Sequence, residues 1–188
     1  FSVTVNDPDV ADGEKTVCQP GTRQVAAGYI LYGSSTIMCL TTGDGVDMFV
    51  LDQAIGSFLR VRTKLRIPEK GMTYSINEAN AETFPEGYQK YLRFAHSSGY
   101  TSRYIGSMVS DVHRTLIRGG VFIYPPTAKN PDGKLRLLYE ANPMAMLIEQ
   151  VMLPPRDDIH VVITTSGDDL PGVWGQARMR GRRARVRF

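Results

Sequence analysis

Residues 1–66 carry short β-branched and aromatic runs, "FSVTV", "VAAGYILYG", "STIMCLTT" and "VDMFVLD". A period of two sends alternate side chains to opposite faces of a strand. Turn signals at Asn6-Asp7-Pro8, Gly33-Ser34-Ser35 and Gly43-Asp44-Gly45 separate the runs. The pattern predicts an antiparallel meander. After Arg66 the period lengthens. Tyr88, Tyr91, Leu92 and Ala95, following Pro85, predict a short amphipathic helix over 86–96. Ile105, Met108, Val109, Val112, Leu116 and Ile117 repeat the helical spacing, and Gly119-Gly120 supplies a left-handed stop. "VFIYP" then predicts a short buried strand, Asn130-Pro131-Asp132-Gly133 a tight turn and "LRLLYE" a further strand. Asn142-Pro143 reads as a helix start with Asn at the N-cap. Beyond Gln150, "VMLPPRDD" ends the helix, "IHVVITT" has strand texture, and the remainder is rich in Gly, Pro and Arg, where no fold is predicted.

Composition narrows the class. With 42% hydrophobic and 22% charged residues in 188, the chain is globular and long enough for one core or two halves. It opens on Phe1 within strand-like text and without the pattern of a signal peptide, so it is expected to be an interior piece of a longer protein. No apolar run reaches the roughly 20 residues that span a bilayer, and no membrane partner is predicted. Cys18 and Cys39 have neither metal nor redox spacing, which predicts a reducing, cytoplasm-like compartment. From Val151 onward there are seven Arg and four Asp, an excess equal to the whole net charge of +3. A nucleic-acid reading would rest on that tail alone, and nucleic acid is not predicted as a partner.

On the predicted strand, Lys134 and Arg136 are two residues apart and share a face, with Leu135 and Leu137 opposite. Two cations on one face favour an anion. Tyr124 ends the neighbouring predicted strand, and Arg103-Tyr104 stand at the entrance to the long helix. Cations and tyrosine hydroxyls around a strand end suit a phosphorylated sugar. A solvated strand face with tyrosines as amphipathic core plugs accounts for the same spacing. Glu140, just before the helix start, could meet a hard cation or simply pair with Arg136. Asn77 and Glu78 in "YSINEAN" could hold a ligand or form a plain Asx turn. His113 lies near the apolar helix face with no nucleophile or second His at a telling interval and reads as structural. No Gly-rich phosphate loop occurs, and "DPDVADG" over 7–13 lacks metal-site spacing.

"YSINEAN", "TSRYIGSMVSDVHRTLIRGGVFIYP" and "PDGKLRLLYEANPMAMLIEQ", preceded by "VAAGYILYGSSTIMCL" and "VLDQAIGSFL", closely resemble the class I fructose-1,6-bisphosphatases, Mg²⁺-dependent sugar phosphatases of gluconeogenesis and the Calvin cycle. The resemblance covers about 1–150, and "VHRTLIRGGVFIYP" is similar to the fructose rather than the sedoheptulose branch. It implies a layered α/β sugar-phosphatase fold: strands of a first domain over 1–66, a sugar-phosphate-binding domain over 67–150, and a divergent Arg-rich tail over 151–188. It further implies that Asn77, Tyr104 and Tyr124 bind the 6-phosphate end of fructose 1,6-bisphosphate. By the same likeness, Arg103 reaches a neighbouring subunit's site, Lys134 contacts the sugar, Arg136 lies near the phosphate to be removed, and Glu140 is a ligand of Mg²⁺. A homo-oligomer, tetrameric in the family, and a cytoplasmic or plastid location go with it.

In the family, most metal carboxylates and the general base precede the part matched here, so no catalytic residue is assigned within this chain. The family also continues after the last helix with an "AGG" turn where this chain has "VMLPPRDD". Metal-assisted hydrolysis of the 1-phosphate is the activity implied for the whole enzyme, and this chain is expected to bind without turnover. The alternative is a non-catalytic sugar-phosphate-binding or subunit-association fragment.

Overall fold

The computed structural model describes residues 1–5, 13, 19–68, 70–131 and 133–151. The Asn6-Asp7-Pro8 turn, Cys18 and the Arg-rich tail lie outside the described residues. Contacts divide the chain into two units, Phe1–Arg66 with 136–151 and Ile67–Leu135.

In the first unit, β1 (Ser2–Thr4), β2 (Gln24–Leu31), β3 (Ile37–Thr41), β4 (Val46–Asp52) and β5 (Ser57–Arg62) pair antiparallel in sequence order. This is the meander that the alternation predicts, with β5 added. β5 is mostly exposed, so it offers no apolar face for the pattern to reveal. Arg60 in β5 bonds Asp47 of β4 at 3.1 Å. The β3–β4 turn is closed by buried Thr41, whose Oγ1 accepts from the Gly43 N–H at 3.1 Å and donates to the Gly45 carbonyl at 2.6 Å. Gly43 and Gly45 take φ of 99° and 88° there, a left-handed backbone that other residues enter only with strain. Cys39 is buried in β3, and burial pushes its thiol pKa up, the opposite of an activated thiolate.

The helix α3 (Asn142–Val151) packs on β2, β3 and β4. It is apolar nearly all round, with Pro143, Met144, Ala145, Met146, Leu147, Ile148 and Val151 buried, as a helix in the middle of a core must be. Side-chain amides latch its two ends: Gln24 Nε2 donates to the Asn142 carbonyl at 3.1 Å, and Gln150 Oε1 accepts from the Gly45 N–H at 3.0 Å. Residues 136–151, which the sequence pattern groups with 67–135, thus pack against the first sheet, where this apolar surface is covered.

The strand predicted over 135–140 does not form. Leu137–Ala141 is one π-helical turn that runs directly into α3, so Lys134 and Arg136 do not share a strand face. Asn142 has helical angles, φ −61° and ψ −52°, and is not an N-cap. Glu140 is the physical cause. Its Oε2 accepts the Arg136 N–H at 2.7 Å and its Oε1 the Arg136 guanidinium at 2.9 Å. The carboxylate therefore caps the first turn in the manner of a capping box. A short leucine-rich run does not by itself distinguish strand from helix.

In the second unit, β6 (Thr73–Ser75), α1 (Glu86–Ser97), β7 (Thr101–Ser102), α2 (Met108–Arg118) and β8 (Val121–Phe122) follow in order. The strands form a sheet ordered β7-β6-β8, with both pairings parallel. Parallel neighbours need crossover connections, which α1 and α2 supply. α1 buries Tyr88, Tyr91, Leu92 and Ala95, the predicted stripe, against Tyr74, Ile76, Phe84 and Ile123. α2 buries Val112 and Leu116 and ends at Gly119, φ 73°. Ile105, predicted on the same stripe, precedes the helix and is 63% exposed. Among the described residues no helix is long and apolar enough to cross a membrane.

Leu147 is fully buried between α3 and the sheet, so Leu147→Ala should cost about 2–5 kcal/mol through lost transfer energy and the cavity left behind. Urea unfolding with hydrogen exchange of the β2 and β3 amides checks this. In α2, burial lowers the His113 pKa below its ordinary value, so the folded state holds the imidazole neutral. Above the unfolded pKa of about 6.5 it has no effect, and as pH falls below that value the unfolded chain protonates first and stability drops until the folded pKa is passed. His113→Gln should therefore lose less thermal stability than the parent between about pH 7.5 and about pH 5.

Candidate functional site

The three parallel strands run the same way, so their carboxyl ends meet at one edge, the usual place for a ligand crevice in such sheets. Asn77 lies just beyond β6, Arg103 and Tyr104 just beyond β7, and Tyr124 just beyond β8. The ladder continues past the formal strand ends: the Arg103 N–H donates to the Tyr74 carbonyl and the Ile123 N–H to the Ser75 carbonyl, each at 2.8 Å. Residues remote in sequence are thereby brought together.

At that edge lies a pocket of ≈ 190 Å³, lined by Asn77, Asn80, Tyr104, Tyr124, Lys129, Asn130 and Lys134, with Phe84, Ile123, Pro125 and Thr127 as its remaining wall. It is smaller than the roughly 300–1,000 Å³ of drug-sized ligand sites, a size suited to one end of a small polar molecule. Among the described residues its lining has two ammonium groups and no carboxylate. Burial, and then the neighbouring Tyr124 and Asp111, raise the Tyr104 pKa, so its hydroxyl stays protonated and can donate. Ammonium groups, phenols and carboxamides on one concave surface suit an anionic, hydroxylated ligand.

The sequence candidates fall into two groups. Asn77, Tyr104, Tyr124 and Lys134 line the pocket. The Asn77 Oδ1 also accepts from the Ala79 N–H at 3.2 Å, capping the 3₁₀ turn Glu78–Thr83, so the Asx turn and the pocket position coexist. Arg103 is exposed, does not line the pocket, and donates from Nη1 to the Ser102 carbonyl at 3.0 Å. Arg136 and Glu140 belong to the first unit and pair with each other. Both Glu140 oxygens are engaged by Arg136. No group of three His, Cys, Asp or Glu able to hold a metal occurs among the described residues. The described residues alone therefore do not fit a Mg²⁺ site, which draws on more than one oxygen ligand.

Glu78, named with Asn77 in the sequence, and Asp111, which was not named there, both stand outside the pocket lining. Glu78 joins a network in which the Tyr74 hydroxyl donates to its Oε1 at 2.7 Å and His96 Nε2 lies 3.2 Å from its Oε2. Burial, then the bond to Glu78, raises the Tyr74 pKa. Asp111, on the face that buries Val112 and Leu116, is itself fully buried. A charged residue falling on an apolar stripe was the readable signal.

The family model described as "Fructose-1-6-bisphosphatase, N-terminal domain" matches residues 1–63, and "Fructose-1-6-bisphosphatase, C-terminal domain" matches residues 67–164. The likeness therefore does not stop at Gln150, where the sequence pattern ends it. The crystal structure of Leishmania major fructose-1,6-bisphosphatase in holo form is 47% identical, with a TM-score of 0.68 over 72% of this chain and 42% of that one. The apo form is 45% identical, with a TM-score of 0.71 over 79% of this chain and 48% of that one. The chain thus spans less than half the length of these structures. Its antiparallel sheet and its parallel sheet with helices match their fold. Both family models, in chain order and with solved relatives at this identity, make the chain a member of the fructose-1,6-bisphosphatase family.

Proposed function

We propose that the chain is the sugar-phosphate-binding portion of a fructose-1,6-bisphosphate 1-phosphatase. The observation that carries this reading is the convergence of Asn77, Tyr104, Tyr124 and Lys134 on one cation-bearing pocket at the carboxyl edge of three parallel strands. Lys134 supplies charge to the phosphate, the two tyrosine hydroxyls donate to it, and Asn77 orients a neighbouring hydroxyl. These residues bind and orient the 6-phosphate end, so that the opposite end of the sugar is the one hydrolysed.

The whole enzyme's reaction is Mg²⁺-dependent hydrolysis to fructose 6-phosphate and phosphate, within a homo-oligomer in a soluble compartment. Glu140 is the metal-ligand position by family resemblance. Its engagement with Arg136 and the lack of a carboxylate cluster among the described residues mean that those residues alone do not supply a metal site. The same two facts favour a binding role for the isolated chain over turnover.

Calorimetric titration of the purified chain with fructose 6-phosphate, together with a phosphate-release assay on fructose 1,6-bisphosphate and Mg²⁺, tests both points. The expected result is weak binding that Lys134→Ala reduces at least about tenfold, the scale of one lost charge-assisted bond, with no phosphate released. Binding equal in parent and Lys134→Ala, or none in either, would overturn the pocket assignment. Mg²⁺-dependent release of phosphate would overturn the binding-only role while leaving the pocket intact.

A further inference from the structure

Asp111 and Arg114 lie outside the pocket lining, yet they hold the segment that enters it. A buried carboxylate is costly unless it is fully bonded. Asp111 is bonded on both oxygens: Oδ1 accepts the Ile105 N–H at 3.1 Å, and Oδ2 accepts the Ile105 and Gly106 N–H groups at 3.2 Å each. Arg114 Nη1 donates to Asp111 Oδ1 at 2.9 Å, and its Nη2 donates to the Arg103 carbonyl at 2.6 Å. From the other side, the Arg103 N–H is held by the Tyr74 carbonyl of β6. The backbone is therefore tied on both sides of Tyr104, at Arg103, Ile105 and Gly106. Gly106 takes φ 85°, a bend that a residue with a side chain resists.

The Tyr104 side chain is less well secured by packing, since the residue is 40% exposed. Its direction follows from the backbone that carries it. Asp111 sits in the first turn of α2, where a carboxylate also satisfies helix-end donors, but ordinary capping does not require an arginine that bridges to a carbonyl three residues before Gly106.

We propose that Asp111 and Arg114 form a positioning pair that aims Tyr104 into the pocket and so sets affinity for the phosphorylated end of the ligand. This rests on the pocket reading given under Proposed function. A purely structural role for the pair lowers stability without singling out Tyr104.

The test uses Asp111→Asn, Arg114→Lys and Tyr104→Phe in the full chain, singly and as the double variants D111N/Y104F and R114K/Y104F. Arg114→Lys keeps the charge on Asp111 but cannot span to the Arg103 carbonyl, and it stands in wherever Asp111→Asn does not fold. In fructose 6-phosphate titrations each single variant should lose about tenfold in affinity, and each double variant no more than Tyr104→Phe alone. A second readout needs no ligand. With 3-fluorotyrosine at position 104, the single ¹⁹F resonance of the parent should shift and broaden in Asp111→Asn and Arg114→Lys. It should stay in place in Leu116→Ala, which weakens the same helix through its core. Additive affinity losses together with an unmoved ¹⁹F resonance would overturn the positioning pair. If the parent does not bind fructose 6-phosphate, the pocket reading fails and the ¹⁹F comparison still decides the pair.

Discussion

The backbone bonds that pair β6 with β7 on one side and β8 on the other carry the rest of the second unit. Each strand has only two or three residues, too few to bury much surface of their own. Their contribution is direction. Because all three run in parallel, the segments beyond them leave from a single edge, and the ladder extends into those segments through Arg103 and Ile123. Reversing one strand would send its site residue to the opposite edge and break the pocket, even with every side chain unchanged.

The helices make that short sheet tenable. α1 covers it with three aromatic or branched side chains and an alanine, and α2 adds Val112 and Leu116. A buried carboxylate interrupts this apolar packing. Asp111 spends its hydrogen-bonding capacity on the loop that carries Tyr104, so core and pocket are tied by the same residue. The first unit uses polar groups in another way. Gln24 and Gln150 latch the ends of a nearly all-apolar helix, which fixes its register where oily packing alone would leave it loosely specified.

Much of this was legible in the chain, for identifiable reasons. The meander was readable because β2, β3 and β4 each have runs of β-branched and aromatic residues bounded by glycine turns. α1 was readable because its buried positions, Tyr88, Tyr91, Leu92 and Ala95, keep strict helical spacing. β5 was hidden because both its faces are largely exposed. The segment 135–140 was misread because alternation of leucine with Lys134 and Arg136 imitates a strand, while the deciding interaction, Glu140 reaching back to the Arg136 N–H, depends on side-chain reach that no period encodes. The pocket was partly legible. Asn77, Tyr104, Tyr124 and Lys134 could be named from family resemblance, but why residues so far apart in sequence meet follows only from the parallel pairing.

A crystal structure of this chain with fructose 6-phosphate tests the central point most directly, that the carboxyl edge of the parallel sheet is a phosphate site. The phosphate should lie within hydrogen-bonding distance, about 3 Å, of Lys134 Nζ and at least one of the Tyr104 and Tyr124 hydroxyls. Sugar phosphate bound away from that edge, or at it with the phosphate facing solvent, would contradict the assignment.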